Sequence, residues 1–106
     1  MQFLVLTKPA GPPPPEMLLP LLDAMTAWVA QHRASGAMKA VWSFAGTLGG
    51  GGVLEVKSHE ELDAIVARFP FAPFSSIEVI ALGDLDKSLA ESRAFAQEMM
   101  VGMAKR

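Results

Sequence analysis

The stretch MKAVWSFAGTLGGGGVLEVK, residues 38–57, decides the fold. Its two halves are rich in aliphatic, β-branched and aromatic residues, and four consecutive glycines interrupt them. This reads as a β-hairpin, with one strand over 38–48, a turn at Gly49–Gly52 and a return strand over Val53–Lys57. Directly after it, Ser58-His59-Glu60-Glu61 forms a capping box, Ser58 as N-cap with Glu61 three residues on. The helix it starts runs to about Arg68, with Leu62, Ile65 and Val66 on its apolar face, and Pro70 ends it.

Upstream of the hairpin, Gly36 supplies a helix stop. The helix before it spans about Glu16 to Ala34, with an apolar stripe of Leu18, Leu21, Leu22, Met25, Trp28 and Val29. Pro20 is tolerated because the first turn of a helix has no internal hydrogen bond for it to break. Five prolines between Pro9 and Pro15 make a stiff extended connection, and residues 2–7 make a first strand. Downstream, the loop Phe69–Phe74 leads into a strand over Ile77–Leu82. The order β-α-β-β-α-β is the split βαβ pattern of an α+β, ferredoxin-like fold with a four-stranded antiparallel sheet. Residues 84–106 then form a C-terminal helical tail, with the helix over 84–105 capped by Asp84 or Asp86. Its apolar stripe is Leu85, Leu89, Ala96, Met99 and Met103, and the whole chain, 1–106, is expected to be one domain.

Two helices cover only one face of such a sheet, so the other face should be polar if it met water. It is not. One alternate set of strand positions reads Phe3, Val5, Val41, Val53, Ile77 and Val79. The other reads Leu4, Leu6, Trp42, Phe44, Leu54, Val56, Ile80 and Leu82. Both sets are apolar, which predicts a homodimer or higher oligomer packed through the open face, with the tail helix over the partner or over its own sheet.

Composition narrows the function classes. A net charge of -2 and scattered Lys and Arg give no basic field for nucleic acid or anionic lipid. There is no cysteine, which removes disulfides, thiolate nucleophiles and zinc–thiolate sites. The apolar run Phe3–Leu6 is too short for a signal peptide or a span, so a cytoplasmic location is expected. Two separated histidines and no carboxylate cluster predict no metal, and no cofactor is expected. The glycine run lacks the Lys and Ser/Thr of a phosphate loop.

From Gly36 to Leu82 the chain resembles the muconolactone isomerase family. That family has a Gly, then Arg-His-Leu-Trp-Arg, then Ala-Gly; here Gly36 is followed by Lys39-Ala40-Val41-Trp42-Ser43 and Ala45-Gly46. Its double-proline loop before Ile-Glu-Val corresponds to Phe69-Pro70-Phe71-Ala72-Pro73-Phe74 before Ile77-Glu78-Val79. The resemblance implies a dimeric α/β barrel with a pocket between helices and sheet, and cofactor-independent proton-transfer chemistry. The family's histidine falls on Ala40 and its second arginine on Ser43. Polar and aromatic residues before its hairpin turn fall on Thr47, Leu48, Gly50 and Gly51. Small residues in those places imply a larger, drier pocket for an apolar cyclic compound of aromatic-degradation or polyketide type.

Two residues are candidates for the acid–base work. His32 ends the apolar stripe of the first helix and carries the side chain suited to proton shuttling; the alternative is a cation at the helix C-terminus. Glu78, like Glu55, would act as a base if enclosed by the barrel; the alternative is a salt bridge to Lys39 or Lys57. Trp28, Trp42, Ser43, Thr47 and Phe74 are the expected substrate-binding residues. A non-catalytic binding or interaction module is the second reading, and a cofactor-free oxygenase the third.

Overall fold

The computed structural model describes residues 1–104. Strand β1 (Gln2–Pro9) is followed by the proline segment, a 3-10 turn at Pro15–Met17 and helix α1 (Leu18–Ala34). Then come β2 (Met38–Ser43), β3 (Gly50–Glu55) and α2 (His59–Ala67). A 3-10 turn at Ala72–Phe74 precedes β4 (Ser75–Leu82) and α3 (Leu85–Ala104). The four strands form one antiparallel sheet in the order β2-β3-β1-β4, the arrangement expected of a ferredoxin-like α+β fold.

Local chemistry sets the element ends as the sequence implies. Gly36 at φ 82° closes α1 in a conformation that costs a residue with a Cβ. The Ser58 side chain accepts from the Glu61 amide at 3.1 Å, and the Glu61 carboxylate accepts from the Lys57 amide at 2.8 Å. Asp84 caps α3 by accepting from the Lys87 amide at 3.1 Å. The expected final helical position, Lys105, lies outside the described residues.

The hairpin differs from its reading. β2 stops at Ser43, the connection is Phe44–Gly49, and Gly50, Gly51 and Gly52 belong to β3 rather than to a turn. The reason is space. A Cβ on Gly50 would lie 2.5 Å from the Trp42 carbonyl oxygen, and one on Gly52 would lie 2.8 Å from that of Ala40. The glycines let β2 approach too closely for any side chain there.

Register corrects the facing of β3 as well. Phe3 pairs with Leu54 and Ala81, and Leu4 with Val53 and Ile80, so Leu54 faces the helices and Val53 the open side. The core is Phe3, Ala37, Met38, Leu54, Val56, Leu62 and Ile65, with Leu54 only 2% exposed. The open side presents Leu4, Leu6, Trp42, Val53, Ile80 and Leu82. Helix α3 does not cover it. The molecule measures 70 × 28 × 24 Å with a radius of gyration of 19.4 Å, against about 13 Å for a compact chain of this length.

Candidate functional site

A cleft of about 1060 Å³ lies between the helix-facing side of the sheet and the layer made by α1 and the proline segment. Its floor is Val5, Thr7, Val41, Ser43, Gly50, Gly52, Leu54 and Ile77, which share one face by register. Leu18, Leu22, Met25 and Trp28 of α1 form one wall, and Phe69, Phe71 and Phe74 another. The stiff Pro9–Pro15 segment borders the same space and holds the wall off the sheet. Bare glycines in the floor add depth where side chains would otherwise fill it.

The cleft is polar at one end only. Thr7 on β1 and Ser43 on β2 pair with Gly50 from either side and so flank that bare position across β3, and Ser75 opposes Pro9 on the far side of β1. The Thr7 hydroxyl donates to the Gly50 carbonyl at 3.3 Å, which leaves its lone pairs and the Ser43 and Ser75 hydroxyls for a bound molecule. Lys8 borders this end, but its pairing with Ser76 sets its side chain on the open face with Leu6 and Glu78. No sequence signal singles out Thr7 or Ser75, because a hydroxyl near a strand end looks like any solvated residue.

Of the expected substrate-binding residues, Trp28, Ser43 and Phe74 line the cleft; Trp42 borders it from β2, but its pairing with Gly51 sets its side chain on the open face beside Leu6. Thr47 does not line it: it sits exposed in the Phe44–Gly49 connection, because the strand ends earlier than its apolar run suggests. The two expected catalytic residues are not brought together. His32 lies behind Trp28, whose indole meets its ring edge-on at 5.0 Å. It opens instead into a smaller hollow shared with Glu61 and Arg68. Burial there holds its imidazole pKa below the ordinary 6.5. Glu78 pairs with Leu6 on the open face of the sheet, away from the cleft, and its strand neighbours Ile77 and Val79 take the helix side.

Trp28 is the hinge between the two hollows. It stacks on Phe69 at 5.5 Å and 30°, and its indole Nε1 is buried without a hydrogen-bond partner. Glu55 Oε2 is a second buried orphan, on the open-face side of β3 by its pairing with Gln2. Among the described residues no three His, Asp or Glu side chains gather as metal ligands, and no helix is long and apolar enough to cross a membrane.

The family model of muconolactone delta-isomerase matches residues 1–88. The chain belongs to that family. Its fold is also that of solved relatives. The crystal structure of muconolactone isomerase at 3.3 Å resolution superposes with a TM-score of 0.67 at 23% identity, over 79% of this chain and 90% of that one. The 5-chloro-2-hydroxyhydroquinone dehydrochlorinase of Burkholderia phenoliruptrix AC1100, in complex with 2,5-dihydroxybenzoquinone, superposes with a TM-score of 0.57 at 20% identity. That match covers 78% of this chain and 94% of the other. No curated protein sequence matches the chain significantly. The match to the muconolactone isomerase family thus spans the sheet, α1 and α2, while most of α3 lies beyond the matched residues.

Proposed function

We propose that this member of the muconolactone isomerase family is a small cofactor-independent enzyme of isomerase type, acting on an apolar, oxygen-bearing cyclic molecule held in the cleft. The cleft itself carries the reading. It has the size of a small-molecule site, a nearly all-apolar wall, and hydroxyls gathered at one end. A ring system would lie between Trp28, Met25 and Phe74, with its oxygen functions toward Thr7, Ser43 and Ser75. The dehydrochlorinase that shares the fold binds 2,5-dihydroxybenzoquinone, a compound of that kind.

A double-bond shift next to a carbonyl removes a proton from one carbon and returns one to another, with no change of oxidation state. It needs a donor or cation for the enolate oxygen and a group to carry the proton. The Ser43 and Ser75 hydroxyls meet the first need. His32 would meet the second only if Trp28 swung aside, and Glu78 only from the opposite face of the sheet. The second reading, a binding module on the same scaffold, is favoured by one observation: no carboxylate or imidazole lines the cleft. Turnover of hydroxyquinones and unsaturated lactones by wild type, Ser43→Ala and His32→Gln separates the two. Loss of turnover in Ser43→Ala with binding retained supports the enzyme; binding without turnover by any of them supports the module.

The open sheet face supports self-association in the same proposal. Ile80 and Leu82 are each about 40% exposed, beside the half-buried Leu4, Leu6 and Val53. A copy packed there would dry this patch. An Ile80→Glu variant that sediments as wild type does would count against it.

A further inference from the structure

Helix α3 is the part of the molecule that neither the cleft nor the sheet explains. Every one of its residues from Leu85 to Ala104 is exposed, including Leu85 at 70%, Leu89 at 58%, Phe95 at 62%, Met99 at 54% and Met103 at 69%. A 20-residue helix standing alone in water is marginal even with good helix formers, and most helices in proteins are held by an apolar face against something. Its seam is specific. Leu85, Leu89, Ser92, Ala96, Met99 and Met103 follow one another at steps of four, three, four, three and four. That 3.5-residue period is the seam of helix-on-helix packing, and the exposed Phe95 and Met100 flank it on either side.

We infer that α3 pairs along this seam with α3 of a second copy of the chain. The side chains fit such a pair. The seam is small at its centre, Ser92 and Ala96, and large at both ends, so two copies crossing at the centre approach closely while Leu and Met interlock on either side. It is self-complementary in a twofold arrangement, which a foreign partner has no reason to match. The opposite surface, Lys87, Glu91, Ala94 and Glu98, stays charged and wet. Pairing over the helix length, with Phe95 and Met100 flanking, buries about 1,000 Å² in total, the threshold for a specific contact. The contact is separate from the open sheet face, so the two can fail independently.

The chain has no cysteine, so single cysteines report cleanly. Full-length Ser92→Cys and Ala96→Cys, alone and mixed, should form disulfide-linked dimers under mild oxidation, several-fold faster than Lys87→Cys on the outer surface. A fast mixed pair means antiparallel helices and fast single-variant pairs mean parallel ones; either supports the inference. In sedimentation, Leu89→Glu with Met99→Glu should weaken association at least tenfold, while Glu91→Gln should not change it. Unchanged association in the double variant overturns the inference, whatever Ile80→Glu does at the sheet face. So does equal cross-linking at Lys87→Cys, or weakened association with no seam cross-link, which would put α3 on another surface of the partner.

Discussion

Replacing Gly52 with alanine pits two effects of known size against each other. Alanine in a strand interior is favoured over glycine by about 0.5–1 kcal/mol, because it restricts the unfolded chain. Against this, the new Cβ would sit 2.8 Å from the Ala40 carbonyl oxygen. That atom is backbone and cannot rotate away, so β2 must retreat by several tenths of an ångström and stretch its hydrogen bonds to β3. Overpacking of this kind costs about 1–3 kcal/mol, so the clash wins and the variant should lose about 1–2 kcal/mol. With a urea m-value of about 1–2 kcal/mol/M, the midpoint followed by far-ultraviolet circular dichroism should fall by about 1 M. Gly11→Ala is the control. A Cβ there meets nothing within 4 Å and φ is not positive, so stability should stay level or rise slightly. If Gly52→Ala proved as stable as Gly11→Ala, the close approach of β2 to β3 would be wrong and the glycines would be turn residues after all.

Other substitutions read other parts of the account. Leu54→Ala should cost about 2–4 kcal/mol in the same urea assay, since Leu54 is the most buried core side chain and also floors the cleft. Trp28→Phe should cost under about 1 kcal/mol, because lost contact area is offset by removing a buried N–H without a partner; a loss above about 3 kcal/mol would show that the N–H is satisfied. Ser58→Ala should cost about 1 kcal/mol by stripping the cap from α2. His32 has a folded pKa held below 6.5 by burial, so its proton binds the unfolded chain more readily. Its neutral form therefore keeps full stability above pH 6.5, and stability falls as pH drops from there through the folded pKa. His32→Gln should flatten that part of the stability profile; an unchanged slope would place the imidazole in water.

The sequence makes the element order, the caps and the sheet topology readable, because capping boxes, prolines and apolar periodicities are local signals. Ser58, Gly36 and Asp84 all act where their neighbours in the sequence imply. The hairpin departs from its sequence pattern for a physical reason. A run of glycines is the same string whether it turns the chain or lets two strands touch, and only the Ala40 and Trp42 carbonyls facing Gly52 and Gly50 distinguish the cases. Once the glycines joined β3, its register moved by one, which exchanged the sides of Val53 and Leu54. The cleft residues Trp28, Ser43 and Phe74 are legible from stripe position and resemblance, whereas strand alternation turns Trp42 to the open face. His32 and Glu78 are residue types able to carry a proton, but neither helical spacing nor strand order says that an indole screens one and the sheet the other. Thr7 and Ser75 carry no sequence signal, because the face each takes depends on the register of β1 with β3 and β4.

The cleft as a site for an apolar cyclic molecule is tested most directly by methyl NMR of the seven methionines. Met25 and Met38 line the cleft, whereas Met99, Met100 and Met103 lie on α3. Titration of the full chain, labelled at the methionine methyls, with 1,4-naphthoquinone and 2,5-dihydroxybenzoquinone should shift Met25 and Met38 saturably and leave the α3 methyls in place. Shifts confined to α3, or none at Met25 and Met38 for either compound or for an unsaturated lactone, would contradict the account.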